Sequence, residues 1–129
     1  MKEKDEMLVA LRNLALDRKA VHLMREDIAR IEEDIKKELP AIQREALEKE
    51  KRELISCAVV TEHRIDRMER LLAQLSPEEQ KVLDRMLINP SPGAVFDLAE
   101  DLSCETSRIY RIRARAISKL IRLRYGAGE

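Results

Sequence analysis

Glu105-Thr106-Ser107-Arg108-Ile109-Tyr110-Arg111-Ile112-Arg113-Ala114-Arg115-Ala116-Ile117-Ser118-Lys119-Leu120 is the stretch whose reading decides the fold. Ile109, Ile112, Ala116, Ile117 and Leu120 recur at helical spacing and form one apolar stripe, while arginines occupy much of the remaining surface. A helix of this kind is held by its apolar side in a small domain and offers its cationic side to a polyanion. The whole chain has a formal net charge of zero, yet residues 106–129 hold seven Arg and Lys against one Glu, and residues 76–105 hold two against seven acids. The neutral total conceals a basic end, which is the electrostatic footprint of nucleic-acid binding.

Working towards the N-terminus, Ser103-Cys104 reads as a tight turn, and Val95, Leu98, Ala99 and Leu102 mark a short helix before it. Ile88-Asn89-Pro90-Ser91-Pro92-Gly93 reads as a loop, because two prolines and a glycine do not continue a helix. Val82, Leu83, Met86 and Leu87 give another short amphipathic helix. It opens at Ser76-Pro77-Glu78-Glu79, where Ser76 is a cap, Pro77 fits the first helical position and the acids suit the N-terminal dipole. The last two helices and their turn have helix-turn-helix spacing, in which one helix braces the next for entry into the major groove. Ala99 stands where a large side chain would hold these helices apart, and Leu102, Cys104 and Ile109 close the core below. Thr106, Ser107, Tyr110, Arg111, Ala114 and Arg115 are then expected to point outward.

The first part of the chain reads differently. Met7, Leu14, Val21, Ile28 and Ile35 recur every seven residues, with Leu11, Met24 and Ile31 filling the neighbouring seam. Leu47, Leu54, Ala58, Ile65, Met68, Leu72 and Leu75 form a second series, interrupted by Lys51 and Thr61 and out of phase with the first. Leu39-Pro40 is the expected boundary, with Pro40 in the first turn of the next helix. Either an antiparallel hairpin or one long kinked helix pairing with another chain satisfies this pattern; we favour the hairpin. Residues 1–75 carry sixteen basic and seventeen acidic side chains, with Glu32–Lys36 and Glu33–Lys37 at i,i+4 spacing.

The expected fold is all-α: an N-terminal long helical hairpin or coiled coil over residues 1–75, which oligomerises or binds a partner, then a small three-helix domain with the helix-turn-helix over 76–129. Aromatic residues are 2% of the chain and Trp is absent, so the core must be aliphatic. Cys57 and Cys104 are too few for a disulfide framework or zinc site, and both are expected to be reduced and packed. No apolar run approaches a membrane span, and Met1-Lys2-Glu3-Lys4-Asp5-Glu6 is not followed by a signal-peptide core, so a cytoplasmic protein is expected. His22 and His63 stand alone on charged helices. With no nucleotide motif, activated nucleophile or catalytic carboxylate set, neither an enzyme nor a metal or other cofactor is expected.

From Leu75 to about Arg124 the chain resembles the fourth conserved region of bacterial primary sigma factors. The shared residues are Leu75-Ser76-Pro77-Glu78-Glu79-Gln80-Lys81-Val82-Leu83, Asp97-Leu98-Ala99-Glu100-Asp101-Leu102 and Arg108 through Leu120. The layout of two long polar helices before such a domain also resembles the small sigma-like regulators of the ArpU and RinA type in phages and prophages. The resemblance implies sequence-specific binding of double-stranded DNA, with RNA polymerase as a further partner, and base-edge contacts from Thr106, Ser107, Arg108, Tyr110 and Arg111. The chain departs from that pattern at Glu105, where Ser or Thr is usual as the cap, at Ser107, where an acid is common, and at Tyr110, where a polar residue is common.

The chemistry of the side chains supports the same division without the family. The guanidinium fork of Arg111 matches the two major-groove acceptors of guanine, and Thr106 and Ser107 are suited to base or phosphate. Arg113, Arg115, Lys119 and Arg122 suit phosphates, which fix register but carry little sequence information. The expectation is a transcriptional regulator acting by recruitment, dimeric through its N-terminal helices. Two competing expectations are a DNA-packaging adaptor resembling a small terminase subunit, marked by a ring of many subunits, and a non-DNA interaction protein whose basic end meets an acidic protein surface.

Overall fold

A computed structural model describes residues 2–126; Met1 and residues 127–129, which belong to the two segments defined above, lie outside the described residues. The described residues form five α-helices and one π-helical turn, with no strand. The helices are α1 (Lys2–Ile35), α2 (Ala41–Leu72), α3 (Pro77–Leu83), α4 (Ala94–Asp101) and α5 (Thr106–Tyr125), with the π turn at Asp84–Ile88 after α3. The described residues divide into two compact units, one made of residues 2–15 with 67–126 and the other of residues 16–66. This division falls inside α1 and α2.

In the unit of residues 16–66, Ile28 and Ile31 of the first heptad series are buried, as is Ala58 of the second. Thr61, which interrupts that series, is also buried, and its hydroxyl donates to the Cys57 carbonyl at 2.9 Å. The bond satisfies the polar group within its own helix, so Thr61 fits an apolar seam. Arg25 pairs with Glu62 at 2.6 Å and Arg64 with Asp17 at 3.2 Å, joining α1 to α2 on exposed flanks.

Ile35 ends α1 without a glycine. Arg44 of α2 serves the free carbonyls instead, donating to Ile35 O at 3.1 Å and Lys37 O at 3.3 Å. Pro40 lies one position earlier than expected, before α2, where its carbonyl accepts from Arg44 N at 3.1 Å as the first helical bond. Lys36 and Lys37 pair with Glu33 and Asp34 at i,i+3, both at 3.1 Å, in place of the expected i,i+4 partners. The cause is the end of α1 at Ile35, beyond which the chain tightens. Cys57 is exposed, against the expectation of packing, because it stands one residue round the helix from buried Ala58.

The other unit is built around α5. Val82, Leu98, Ala99, Ile109 and Ile112 form its aliphatic cluster, with Met86, Val95, Leu102 and Cys104 packed against it. Ala116, Ile117 and Leu120 extend the buried stripe along α5. The Ser76 hydroxyl accepts from Glu79 N at 3.1 Å while Glu79 Oε1 accepts from Ser76 N at 2.9 Å, a reciprocal capping box that starts α3 beside Pro77. Met7, Leu11 and Leu14, from the start of α1, are at most 1% exposed and belong to this same unit. Tyr125 donates from its hydroxyl to Glu6 Oε2 at 2.8 Å, bringing the end of α5 to the start of α1.

Candidate nucleic-acid interface

The α4–α5 turn is fixed by its backbone. Cys104 N donates to Ala99 O at 2.9 Å and Ser103 N to Glu100 O at 3.2 Å, the paired bonds of a Schellman ending, with Ser103 in the left-handed region at φ 52°. Ala99 and Cys104 meet in the aliphatic cluster beneath, the apolar contact that accompanies this ending. Glu105 then adopts an extended conformation as the cap of α5 without a side-chain hydrogen bond, so the first-turn amides carry no side-chain cap. Its carboxylate accepts instead from the Ser107 hydroxyl at 3.5 Å.

On α5 the nine residues singled out from sequence separate into three environments. Ser107, Arg111, Arg115 and Arg122 are exposed and lie within about 80° of arc on the helical wheel. Arg111, Arg115 and Arg122 have no carboxylate within ion-pair distance among the described residues. Arg108 and Lys119 lie on the flank facing α3, where Arg108 pairs with Glu78 at 3.5 Å and Lys119 with Glu79 at 3.7 Å. Lys119 is thus half-buried and engaged within the domain, a placement different from the free phosphate contact expected of it. Glu78 and Glu79 open the helix that packs on α5, which brings them to these two cations.

On the opposite flank Tyr110 is exposed, Thr106 is half-buried against expectation, and Arg113 is half-buried with its Nε shielded and without a hydrogen-bond partner. Both Thr106 and Arg113 sit on the side of the wheel that carries Leu120 and Ile117, which turns them from solvent. Arg113 is therefore the second of the expected phosphate contacts to lie off the open face.

The acids of residues 76–105 are largely matched inside the unit. Lys81 and Arg85 reach Asp101 at 3.5 and 3.4 Å, and Arg85 also reaches Asp97 at 3.6 Å, clamping the π turn to α4. Glu79 is held below the usual carboxylate range chiefly by the Ser76 backbone N–H; burial opposes this, and the Ser76 hydroxyl and Lys119 assist it. The Tyr125 hydroxyl is pushed up by burial and by its bond to Glu6. No group of side chains suited to hold a metal ion exists among the described residues, and none of the helices searched there is long and apolar enough to cross a membrane.

Sequence reasoning missed the seating of the first turns of α1 against the C-terminal helix. The signal was available in α5, where Tyr110, Ala114, Ile117, Ile121 and Tyr125 follow helical spacing as a second, weaker apolar edge. Comparison with family models, curated proteins and solved structures gave no match.

Proposed function

We propose that this chain is a sequence-specific, double-stranded-DNA-binding transcriptional regulator of sigma-like type, derived from a phage or prophage. Its N-terminal helices form an antiparallel hairpin, and α4, the Ser103 turn and α5 form a helix-turn-helix with α5 as the recognition helix. The observation that carries the reading is the exposed stripe Arg111–Arg115–Arg122, free of carboxylate partners among the described residues while neighbouring Arg108 and Lys119 are paired. A fold that pairs Glu78, Glu79, Asp97 and Asp101 internally yet leaves one row of guanidinium groups open is suited to a phosphate-lined groove.

In this reading Arg111, Ser107, Tyr110 and Thr106 face base edges, with Arg108 released from Glu78 to join them. Arg115 and Arg122 hold phosphates, and Lys119 and Arg113 act from the margins. RNA polymerase is the proposed second partner, and a second copy of the chain docks through the N-terminal helices. Val9, Leu16 and Leu23 support this last point: they recur every seven residues along α1 and are 54%, 64% and 50% exposed.

The test is binding of promoter-length duplex by the full chain across a salt series, with mass measurement of the free protein. Affinity that falls steeply with salt is expected, together with a dimeric mass. Absent binding at low salt removes the DNA reading, and a ring of many subunits replaces regulation with packaging.

A further inference from the structure

Beside the cationic stripe, Lys4, Tyr110, Arg113, Ala114, Ile117, Ser118 and Ile121 line a cavity of about 170 Å³ within the α5 unit. Its polar residues are two cations and two hydroxyls. Its floor is aliphatic, from Ala114, Ile117 and Ile121. Neither Lys4 nor Arg113 has a carboxylate within ion-pair distance among the described residues. The Nε of Arg113 is shielded from solvent and without a hydrogen-bond acceptor. A buried donor in that state costs free energy unless something accepts from it.

We propose that this cavity binds a small organic anion, with a carboxylate or phosphate head between Lys4 and Arg113 and a compact apolar body against Ile117 and Ile121. The charges decide the sign of the ligand, because the lining contains donors from Lys4, Arg113, Tyr110 and Ser118 and no acidic side chain. The guanidinium fork suits a planar or tetrahedral oxyanion, and the Lys4 ammonium adds a point charge with free rotation. The volume is on the order of that taken up by a single ring, since a cavity of roughly 150 Å³ is known to accommodate benzene. The inference does not rest on DNA binding. Tyr110 belongs both to this cavity and to the face assigned to DNA, so an occupant changes the surroundings of that face.

The experiment follows the Arg113 Nε–Hε resonance in nitrogen-proton correlation spectra of the full chain during titration with benzoate, phenyl phosphate and inorganic phosphate. Sodium chloride at matched ionic strength is the reference. A saturable shift of Arg113 Nε–Hε with at least one of the organic anions is expected, accompanied by shifts at Tyr110 and Ser118 and much weaker with chloride. Lys4→Gln, a change at an exposed site, is expected to weaken it. Arg113→Gln is expected to abolish the accompanying shifts while helicity by circular dichroism is retained. Shifts linear in concentration and equal to those with chloride overturn the proposal, as does a saturable response that survives both substitutions. A response to duplex DNA with none to the free anions also overturns it, since it assigns the head group to a nucleic-acid backbone.

Discussion

At the scale of single residues, the cations of α5 divide by what they touch. Arg111 is exposed and carries the guanidinium fork to which the proposal gives the reading of guanine, while Arg115 stands one turn on along the same face. Arg111→Ala is expected to reduce discrimination between cognate and random duplex by about 1–3 kcal/mol, and Arg115→Ala to weaken both duplexes alike. Paired titrations of each variant check this; equal losses on both duplexes for Arg111→Ala would reject its reading role. Glu79 carries a different expectation. Its folded carboxyl lies below the usual range, so its contribution to stability is present above that range and is lost as pH falls through the folded value. Glu79→Gln keeps an acceptor for Ser76 N but cannot titrate. Its loss of stability between about pH 7 and about pH 3 is therefore expected to be smaller than that of the unaltered chain, measured as the shift in denaturation midpoint. Ser76 and Glu79 were legible as a helix start from the sequence, but their involvement with Lys119 was not, because the pair is remote in sequence and depends on how α3 crosses α5.

Among elements, the turn before α5 is the part that a sequence reading locates best and explains least. Two residues between apolar series identify it, and Ala99 and Cys104 suit its small core. The left-handed Ser103 is invisible at that level, since serine carries no backbone signature of the kind glycine does. Left-handed geometry costs an L-residue roughly 1–2 kcal/mol, and glycine costs about 0.5–1 kcal/mol in chain entropy. Ser103→Gly is accordingly expected to stabilise the protein by a few tenths to about 1 kcal/mol, seen as a higher thermal midpoint. A lower midpoint would mean that the serine side chain contributes there. The ending of α1 makes the complementary point: the sequence locates the break near Pro40, yet the cap is supplied by Arg44, which one-dimensional pattern does not distinguish from any other surface arginine.

For the molecule as a whole, the seven-residue repeat identified two long helices but could not show which body each turn belongs to. Met7, Leu11 and Leu14 continue the repeat without a change of phase, although they lie in the α5 unit and Ile28 and Ile31 in the other. Leu11→Ala is expected to cost about 2–5 kcal/mol, as a fully buried leucine does, and to lower hydrogen-exchange protection in α5. Unchanged protection in α5 would separate the first turns of α1 from that unit. The bond of 2.8 Å between Glu6 and Tyr125 has a topological corollary. A short peptide bridge from the end of α5 at Tyr125 to the start of α1, with new ends opened at the connection before Pro40, is accordingly the natural circular permutation of this fold. In the rearranged chain the first half of α1 follows α5 directly, and the turns that complete the C-terminal body become contiguous with it in sequence.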